Sequence, residues 1–249
     1  VVDETLLNDV SKGLDIYYTD SFEPLNILGG IVGKNKVPYG GFANKNKETF
    51  FQTSLRWIRG NFFIPDARVG WVKYAFEKAV EIIRRENIDT VYVSSPPHST
   101  QLIGLKLKEK FPNIRWIADM RDPWTDIYYY KDLLHTSIAK NIDAKCEKKV
   151  LNGADAIIVV SDAIKRTFSN KIENKSSDKI HVIPNGYDES DFINQVEKDK
   201  ESTYITYVGT MADTYKPEIF FDALKSCIEE YPEKKIKFRF VGATPWTIK

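Results

Sequence analysis

The sequence has 249 residues, of which 42% are hydrophobic and 13% aromatic, and its formal net charge is +1. This composition indicates a globular protein with enough apolar material for one large domain or two smaller ones. The near-neutral charge argues against a nucleic-acid-binding protein, and no apolar run approaches the roughly 20 residues of a membrane-spanning helix.

The cysteines and the N-terminus bear on the cellular compartment. Cys146 and Cys227 lie far apart in helix-like runs, and neither has the spacing of a metal ligand. They are typical of reduced thiols, and no signal-peptide pattern is present, so the sequence predicts a cytoplasmic protein. Because an initiator Met is also absent, we expect the natural start to lie upstream of Val1.

The first quarter of the chain predicts little regular structure. Residues 14–19 favour a strand, and loop-forming residues then extend from Gly29 to Pro65 around an aromatic and basic run at 50–64. Such a run can rest on an anionic membrane surface, which predicts peripheral contact with the inner face of a membrane. A partly buried helix with a solvated face is the more frequent outcome of this pattern.

From residue 67 to residue 184, helical and strand patterns alternate. The predicted strands are 89–95, 114–120, 154–161 and 179–184. The predicted helices are 67–86, a helix ending near Phe111, a helix with an apolar stripe of Ile138, Ile142, Cys146 and Val150, and a short helix capped by Ser161. This order predicts an α/β fold with a Rossmann-like parallel sheet and flanking helices.

A charged stretch at 191–202 predicts a linker between two domains. Beyond it, a strand at 204–208, a helix at 217–231 and a strand at 236–241 begin a second unit. One strand-helix-strand unit cannot cover both faces of a parallel sheet. We therefore expect the chain to be a fragment, with an N-terminal domain at 1–190 and the truncated start of a second Rossmann-like domain at 203–249.

The loop after strand 114–120 carries Asp119, Arg121, Asp122 and Trp124. Open α/β sheets bind ligands at the carboxyl ends of their strands, so these side chains are candidates for a site. The arginine fits a phosphate or carboxylate, the aspartates can accept from sugar hydroxyls, and the indole can offer a flat apolar face. The alternative is an Arg–Asp pair that only ties the loop down.

Three further loops follow predicted strands. Ser95 and His98 could bind a substrate, although a lone histidine in a loop often makes only a local hydrogen bond. Asn185-Gly186 is either part of the site or an ordinary turn. Gly209-Thr210 precedes a helix and favours a phosphate cradle, because free backbone N–H groups attract anions. No zinc spacing, Walker A sequence or Gly-x-Gly-x-x-Gly motif is present.

Four segments together resemble family 4 glycosyltransferases over about residues 64–220. They are Ser95-Pro-Pro-His-Ser-Thr100, Ala118-Asp-Met-Arg-Asp-Pro-Trp124, Ala154-Asp-Ala-Ile-Ile-Val-Val-Ser-Asp162 and Val182-Ile-Pro-Asn-Gly-Tyr-Asp188. The resemblance implies the GT-B architecture, in which two Rossmann-like domains face each other across a cleft. It also implies retaining transfer from a nucleotide-sugar, without a cofactor or metal. The first domain would hold the acceptor and the second the donor.

The resemblance assigns roles unevenly. Arg121 and Asp122 occupy the loop where many relatives have a histidine, so we expect Asp122, Arg121 and Asp119 to be catalytic. Substrate binding is expected of His98, Ser95, Trp124, Asn185 and Gly186. Gly209 and Lys216 match residues that bind the donor phosphates, but Thr210 stands where relatives have arginine. The family's first strand with its Gly-rich loop and its Glu-x7-Glu motif are expected to lie outside this fragment.

The sequence therefore predicts a retaining glycosyltransferase that moves a sugar to a glycan or lipid-linked acceptor. The expected setting is cell-surface polysaccharide or lipopolysaccharide biosynthesis, with no nucleic-acid partner. The alternatives are a nucleotide-sugar epimerase of the same architecture and a non-catalytic sugar-binding relative. As a fragment, the chain is expected to be inactive alone.

Overall fold

A computed structural model describes residues 13–23, 50–173, 178–189, 202–209, 211 and 215–242. The described residues form two units. One contains 13–23 and Trp57–Pro184, and the other contains 50–56 and the described residues from Asn185 onward. The predicted linker at 191–202 lies outside the described residues except for Ser202, and so does Thr210.

The first unit is built on a parallel four-stranded sheet with its strands in chain order. The strands are β1 (Thr90–Ser95), β2 (Arg115–Met120), β3 (Ala156–Val159) and β4 (Ile180–Val182). The helices are α1 (Phe50–Phe62), which continues into this unit from Arg56, α2 (Val72–Glu86), α3 (Gln101–Lys110), α4 (Ser137–Gly153) and α5 (Asp162–Ser169). The predicted α/β class, with a Rossmann-like parallel sheet flanked by helices, is confirmed.

Strand β2 lies at the centre of the core. Trp116, Ala118 and Met120 are fully buried and pack with residues of β3, α4 and α5. Helix α3 approaches β2 closely at Gly104, where an added Cβ would lie 2.3 Å from the Trp116 indole. A parallel strand that is covered on both sides has to be apolar along most of its length, which is why 114–120 is recognisable in the sequence.

Residues 14–19 do not form the predicted strand. They are irregular and lie along α2 and the turn before it, where Trp71 Nε1 donates to Thr19 Oγ1 at 2.7 Å and Arg85 donates to the Tyr17 hydroxyl at 2.6 Å. The prediction was wrong because a strand needs a neighbouring strand for its backbone hydrogen bonds, and this segment lies against a helix instead.

The apolar stripe predicted for α4 is wrong at Ile138 and Ile142, whereas Cys146 packs against the core and Val150 is fully buried. Ile138 is 74% exposed, whereas Asp143 and Glu147 are each only 1% exposed. The helix therefore buries its acids and exposes its isoleucines. The reason is that each acid accepts hydrogen bonds from the loop that follows β2, which compensates for its burial.

The second unit contains two parallel strands and one helix within its described residues. They are β5 (Thr203–Val208), β6 (Ile236–Val241) and α6 (Glu218–Glu230), close to the predicted bounds. The helix packs on the sheet through Phe220 and Phe221, whose ring centroids each lie 5.4 Å from that of Phe238.

The run at 50–64 forms α1 over most of its length. Within the part of the chain that the structure describes, no helix is long and apolar enough to cross a membrane.

Candidate active site

The candidate site begins at the carboxyl ends of β1 and β2. Ser94 lies opposite Asp119 in the register of the two strands. Ser94 Oγ and Arg121 Nε both donate to Asp119 Oδ2, at 2.8 and 2.7 Å. Asp119 is 1% exposed, and its Oδ1 accepts no hydrogen bond from the described residues. An ion pair between Arg121 and Asp119 thus holds the start of the loop after β2. A structural Arg–Asp pair of this kind was the alternative to a ligand-binding role in the sequence analysis.

Asp122 differs from Asp119 in its surroundings. It is half-buried and makes no hydrogen bond or ion pair with the described residues. Its charge acts on two neighbours: it adds to the effect of burial in raising the pKa of Tyr129, and it opposes the effect of burial on the pKa of His98. Of the two aspartates in this loop stretch, Asp122 is the carboxylate that can accept from a ligand.

His98 and Trp124 form a stacked pair beside Asp122. Their ring centroids lie 4.9 Å apart with 7° between the planes. His98 Nε2 lies 3.3 Å from the Pro123 carbonyl oxygen, and because a carbonyl only accepts, Nε2 carries the proton. Burial lowers the pKa of His98, so the ring is neutral at pH 7. Its Nδ1 is then an acceptor, buried and without a partner among the described residues.

Trp124 itself is 2% exposed. The expectation that its indole offers a flat face to a sugar is therefore wrong, because the ring is buried and His98 covers one of its faces. Trp124 can influence a ligand only through His98 and through the path of the loop. Its predicted contribution to substrate binding stays a prediction in this indirect form.

Ser95 lies beneath the site in a buried polar bridge. Its Oγ donates to the Asp119 carbonyl oxygen at 3.1 Å and accepts from Gln101 Nε2 at 3.0 Å. Gln101, which is fully buried, also donates to the Val93 carbonyl oxygen at 2.8 Å. This bridge fixes the start of α3 to β1 and β2. A direct contact of Ser95 with substrate stays a prediction.

The turn that carries His98 is fixed by Asp66. The backbone N–H of Ser99 donates to Asp66 Oδ2 at 2.7 Å, and Ser99 Oγ donates to Oδ1 at 2.8 Å. Sequence analysis missed Asp66 and Gln101, because both act on backbone groups that only the folded chain brings near them. A polar residue at the first position of α3 was the available signal for Gln101, whereas Asp66 lies 33 residues before Ser99 and had no signal in the sequence.

The rest of the loop after β2 is anchored to α4 through two buried acids. Trp124 Nε1 and the Tyr130 hydroxyl donate to the two oxygens of Asp143, each at 2.8 Å. Glu147 accepts from Thr125 Oγ1 at 2.6 Å and from Lys171 Nζ at 2.8 Å. Burial raises the pKa of Asp143 to about 6, although the two hydrogen bonds oppose this shift. Sequence analysis missed both acids; their spacing of four residues was the available signal.

The remaining predicted site residues belong to the second unit. Asn185 and Gly186 are exposed in the irregular segment that follows β4, and Lys216 is exposed shortly before α6. Gly209 directly follows β5 and has φ +137°, a conformation that favours glycine. Its N–H donates to the Val241 carbonyl oxygen at 2.9 Å. This N–H is therefore unavailable to a phosphate, which corrects one detail of the predicted cradle.

No group of three or more His, Cys, Asp or Glu residues suited to a metal ion occurs among the described residues. The absence of a metal from the reaction stays a prediction. The described geometry instead offers one accessible carboxylate, a neutral imidazole and an arginine held by an ion pair, all at the carboxyl edge of a parallel sheet.

This arrangement defines a Rossmann-like domain with a polar site at its strand ends. The chain belongs to glycosyltransferase family 4, because the model described as "Glycosyltransferase Family 4" matches residues 40–191, more than half of the sequence. A comparison with curated proteins gives no match. The family resemblance is thus confirmed, and with it glycosyltransferase activity in general. The matched residues include the loops of β1 and β2 but not Gly209 or Lys216.

Proposed function

We propose that this chain performs the acceptor side of a retaining glycosyl transfer from a nucleotide-sugar donor. The acceptor is a glycan or a lipid-linked sugar in cell-surface polysaccharide or lipopolysaccharide biosynthesis. The observation that carries the proposal is the contrast between Asp119 and Asp122. The first is buried and paired with Arg121, whereas the second is half-buried and makes no hydrogen bond with the described residues.

In this proposal Asp122 accepts a hydrogen bond from the acceptor hydroxyl. A carboxylate in that position orients the hydroxyl and withdraws its proton as the new bond forms. Asp119 is too deeply buried to touch substrate, so it acts as a positioning residue that holds Arg121 at the edge of the sheet. The guanidinium of Arg121 then faces the negative charge that develops on the departing phosphate.

His98 contributes an uncharged ring. Its Nε2 proton is directed at the Pro123 carbonyl and its Nδ1 is buried, so His98 supports substrate binding by holding the loop after β2 in place rather than by direct contact through Nδ1. Because burial keeps the imidazole neutral, it adds no positive charge to compete with Arg121. The indole of Trp124, stacked on the ring, prevents the imidazole from turning away.

On the donor side, we propose that Lys216 binds the phosphates of the nucleotide-sugar and that Gly209 allows the close approach of the chain. Asn185, Gly186 and Thr210 complete this proposed donor side. The reaction needs no cofactor, no metal and no nucleic-acid partner in this account. The protein works in the cytoplasm, with which the free thiols of Cys146 and Cys227 are consistent. Membership of a glycosyltransferase family favours transfer over epimerisation and over sugar binding alone.

The test is an assay of the protein that carries this sequence, with a panel of nucleotide-sugars and lipid-linked or soluble glycan acceptors. NMR of the product identifies the configuration at the anomeric carbon. We expect sugar transfer that depends on Asp122 and keeps the configuration of the donor. An inverted product would contradict the retaining reaction, and release of an isomerised nucleotide-sugar without transfer would support the epimerase.

A further inference from the structure

The outer face of α4 combines apolar and basic side chains. Ile138, Ile142, Lys145 and Lys149 recur at helical spacing and therefore lie on one face. Ile138 is 74% and Ile142 is 45% exposed, and both lysines are also exposed. The opposite side of the helix, with Asp143 and Glu147, packs against the domain. This face is therefore an apolar and basic surface that the described part of the domain leaves open.

The charge of this surface follows from the burial of the acids. Helix α4 contains two acids, Asp143 and Glu147, and both are 1% exposed. Its exposed charged residues are therefore all cations: Lys140, Lys145, Lys148 and Lys149. Lys148 forms an exposed ion pair with Glu173 at 3.2 Å. A helix with four lysines and two acids thus exposes only its positive charges in the folded chain.

The last turn of α1 extends the apolar part of this surface. Thr136, which caps α4, donates its backbone N–H to Asn61 Oδ1 at 2.7 Å, and Asn61 Nδ2 donates to the Leu134 carbonyl oxygen at 3.1 Å. Phe62, which follows Asn61, is 68% exposed. Phe62 and Ile138 thus flank the same hydrogen-bonded junction. We call the set Phe62, Ile138, Ile142, Lys145 and Lys149 the α4 surface.

We propose that the α4 surface docks on an anionic phospholipid bilayer. The isoleucines and the phenylalanine would enter the boundary between headgroups and acyl chains, while the lysines bind the lipid phosphates. This assignment extends the contact predicted for 50–64 to a different element, α4. It is independent of the proposed function, because docking needs neither a donor nor an acceptor.

The charge and polarity of the α4 surface favour an anionic bilayer over a protein partner. A second copy of the chain would bring Lys145 and Lys149 against their own counterparts, and like charges in contact oppose association. An acidic protein partner would satisfy the lysines but would have to supply a separate apolar patch for Ile138 and Phe62. An anionic bilayer supplies negative charge and an apolar layer together.

The test is co-sedimentation of the purified chain with vesicles in the absence of any sugar donor. One set of vesicles contains phosphatidylcholine alone, and the other contains equal amounts of phosphatidylcholine and phosphatidylglycerol. We expect binding to the second set only, weakened by salt because of charge screening. The double variant Lys145→Glu/Lys149→Glu should bind at least about tenfold more weakly, since each lysine near such a surface contributes substantially.

Two further variants distinguish binding through the α4 surface from a general effect of the net charge of the chain. Ile138→Ser/Ile142→Ser should weaken binding without changing the charge. The control Lys110→Glu/Lys225→Glu makes the same change in net charge at exposed positions outside the surface and should bind like the unmodified chain. Circular dichroism checks that each variant is folded.

The proposal is overturned if the unmodified chain fails to bind the anionic vesicles, or if the control pair weakens binding as much as the α4 pair. It is also overturned if sedimentation velocity without vesicles shows a dimer that Ile138→Ser/Ile142→Ser dissociates, because the surface would then join two copies. Since sugar transfer is measured separately, failure here leaves the proposed reaction untouched.

Discussion

The indole nitrogen of Trp124 donates a hydrogen bond of 2.8 Å to the carboxylate of Asp143. Trp124 also contacts His98, whose ring stacks on the indole. Helix α4 therefore fixes the position of His98 through Trp124. The site depends on a helix whose inner face is polar.

Stability should depend on pH through Asp143. Burial raises its pKa from 3.8 in the unfolded chain to about 6 in the folded protein. The folded state thus binds this proton more tightly, so the stabilising contribution is complete below about pH 4 and is lost as the pH rises through about 6. We expect the loss to be on the order of 2–3 kcal/mol, from about 1.4 kcal/mol per pH unit.

The measurement is urea unfolding of the unmodified protein and of Asp143→Asn at several pH values from 4 to 7. The difference in unfolding free energy between the two should shift in favour of Asp143→Asn as the pH rises. A constant difference across this range would show that Asp143 titrates normally.

Lys171 should be required for the stability of the loop after β2. Its ammonium group donates to Glu147, which is 2% exposed in its side chain, and to Thr125. Lys171→Met would leave a buried carboxylate without its cation, which typically costs about 3–5 kcal/mol. The double variant Lys171→Met/Glu147→Gln should recover part of this loss, since no buried charge is left unpaired; Asp126, the other ion-pair partner of Lys171, is 47% exposed. Thermal unfolding of the single and the double variant measures this recovery. Equal losses of stability in both variants would show that the unpaired charge of Glu147 is not the cause.

Gly104→Ala should destabilise the first unit. An added methyl group would lie 2.3 Å from the Trp116 indole, and α3 would have to move away from β2. Overpacking of this kind typically costs about 1–3 kcal/mol. Gly186→Ala is the matched control, because an added Cβ there meets nothing within 4 Å. Denaturant unfolding should separate the two variants, and similar midpoints would contradict the close packing of α3.

The sequence allowed prediction of the sheet, because alternating apolar strands and amphipathic helices follow directly from periodicity. It failed at α4 for a physical reason. Ile138 and Ile142 have the spacing of a buried stripe, but the hydrogen bonds of Asp143 and Glu147 orient the helix instead. Such partners come from residues distant in the chain, and one sequence does not show which acids will find them.

The location of the candidate site could be predicted from the sequence, but the different roles of its residues could not. The loop after β2 was recognisable because polar residues follow a buried strand. The distinction between Asp119 and Asp122 depends on the register of β1 against β2, which places Ser94 beside Asp119. The burial of Trp124 likewise depends on where α4 lies.

Lys216→Ala should weaken donor binding in the protein that carries this sequence. A charge-assisted contact to a phosphate contributes about 1.5–3 kcal/mol, so affinity for the nucleotide-sugar should fall roughly tenfold or more. Because Lys216 is exposed, the fold should be unaffected. Calorimetry with the nucleotide measures the effect, and unchanged affinity would place the phosphate site elsewhere.

The central claim is that Asp122, and not Asp119, accepts from the acceptor. The decisive measurement is kcat/KM for sugar transfer together with the melting temperature, for Asp122→Asn, Asp119→Asn and the exposed control Asp89→Asn at the opposite end of β1. We expect Asp122→Asn to lose at least about a hundredfold in kcat/KM without a change in melting temperature. Asp119→Asn should lower the melting temperature, because it removes the charge of a buried carboxylate that pairs with the partly exposed Arg121. Near-normal activity of Asp122→Asn would contradict the account.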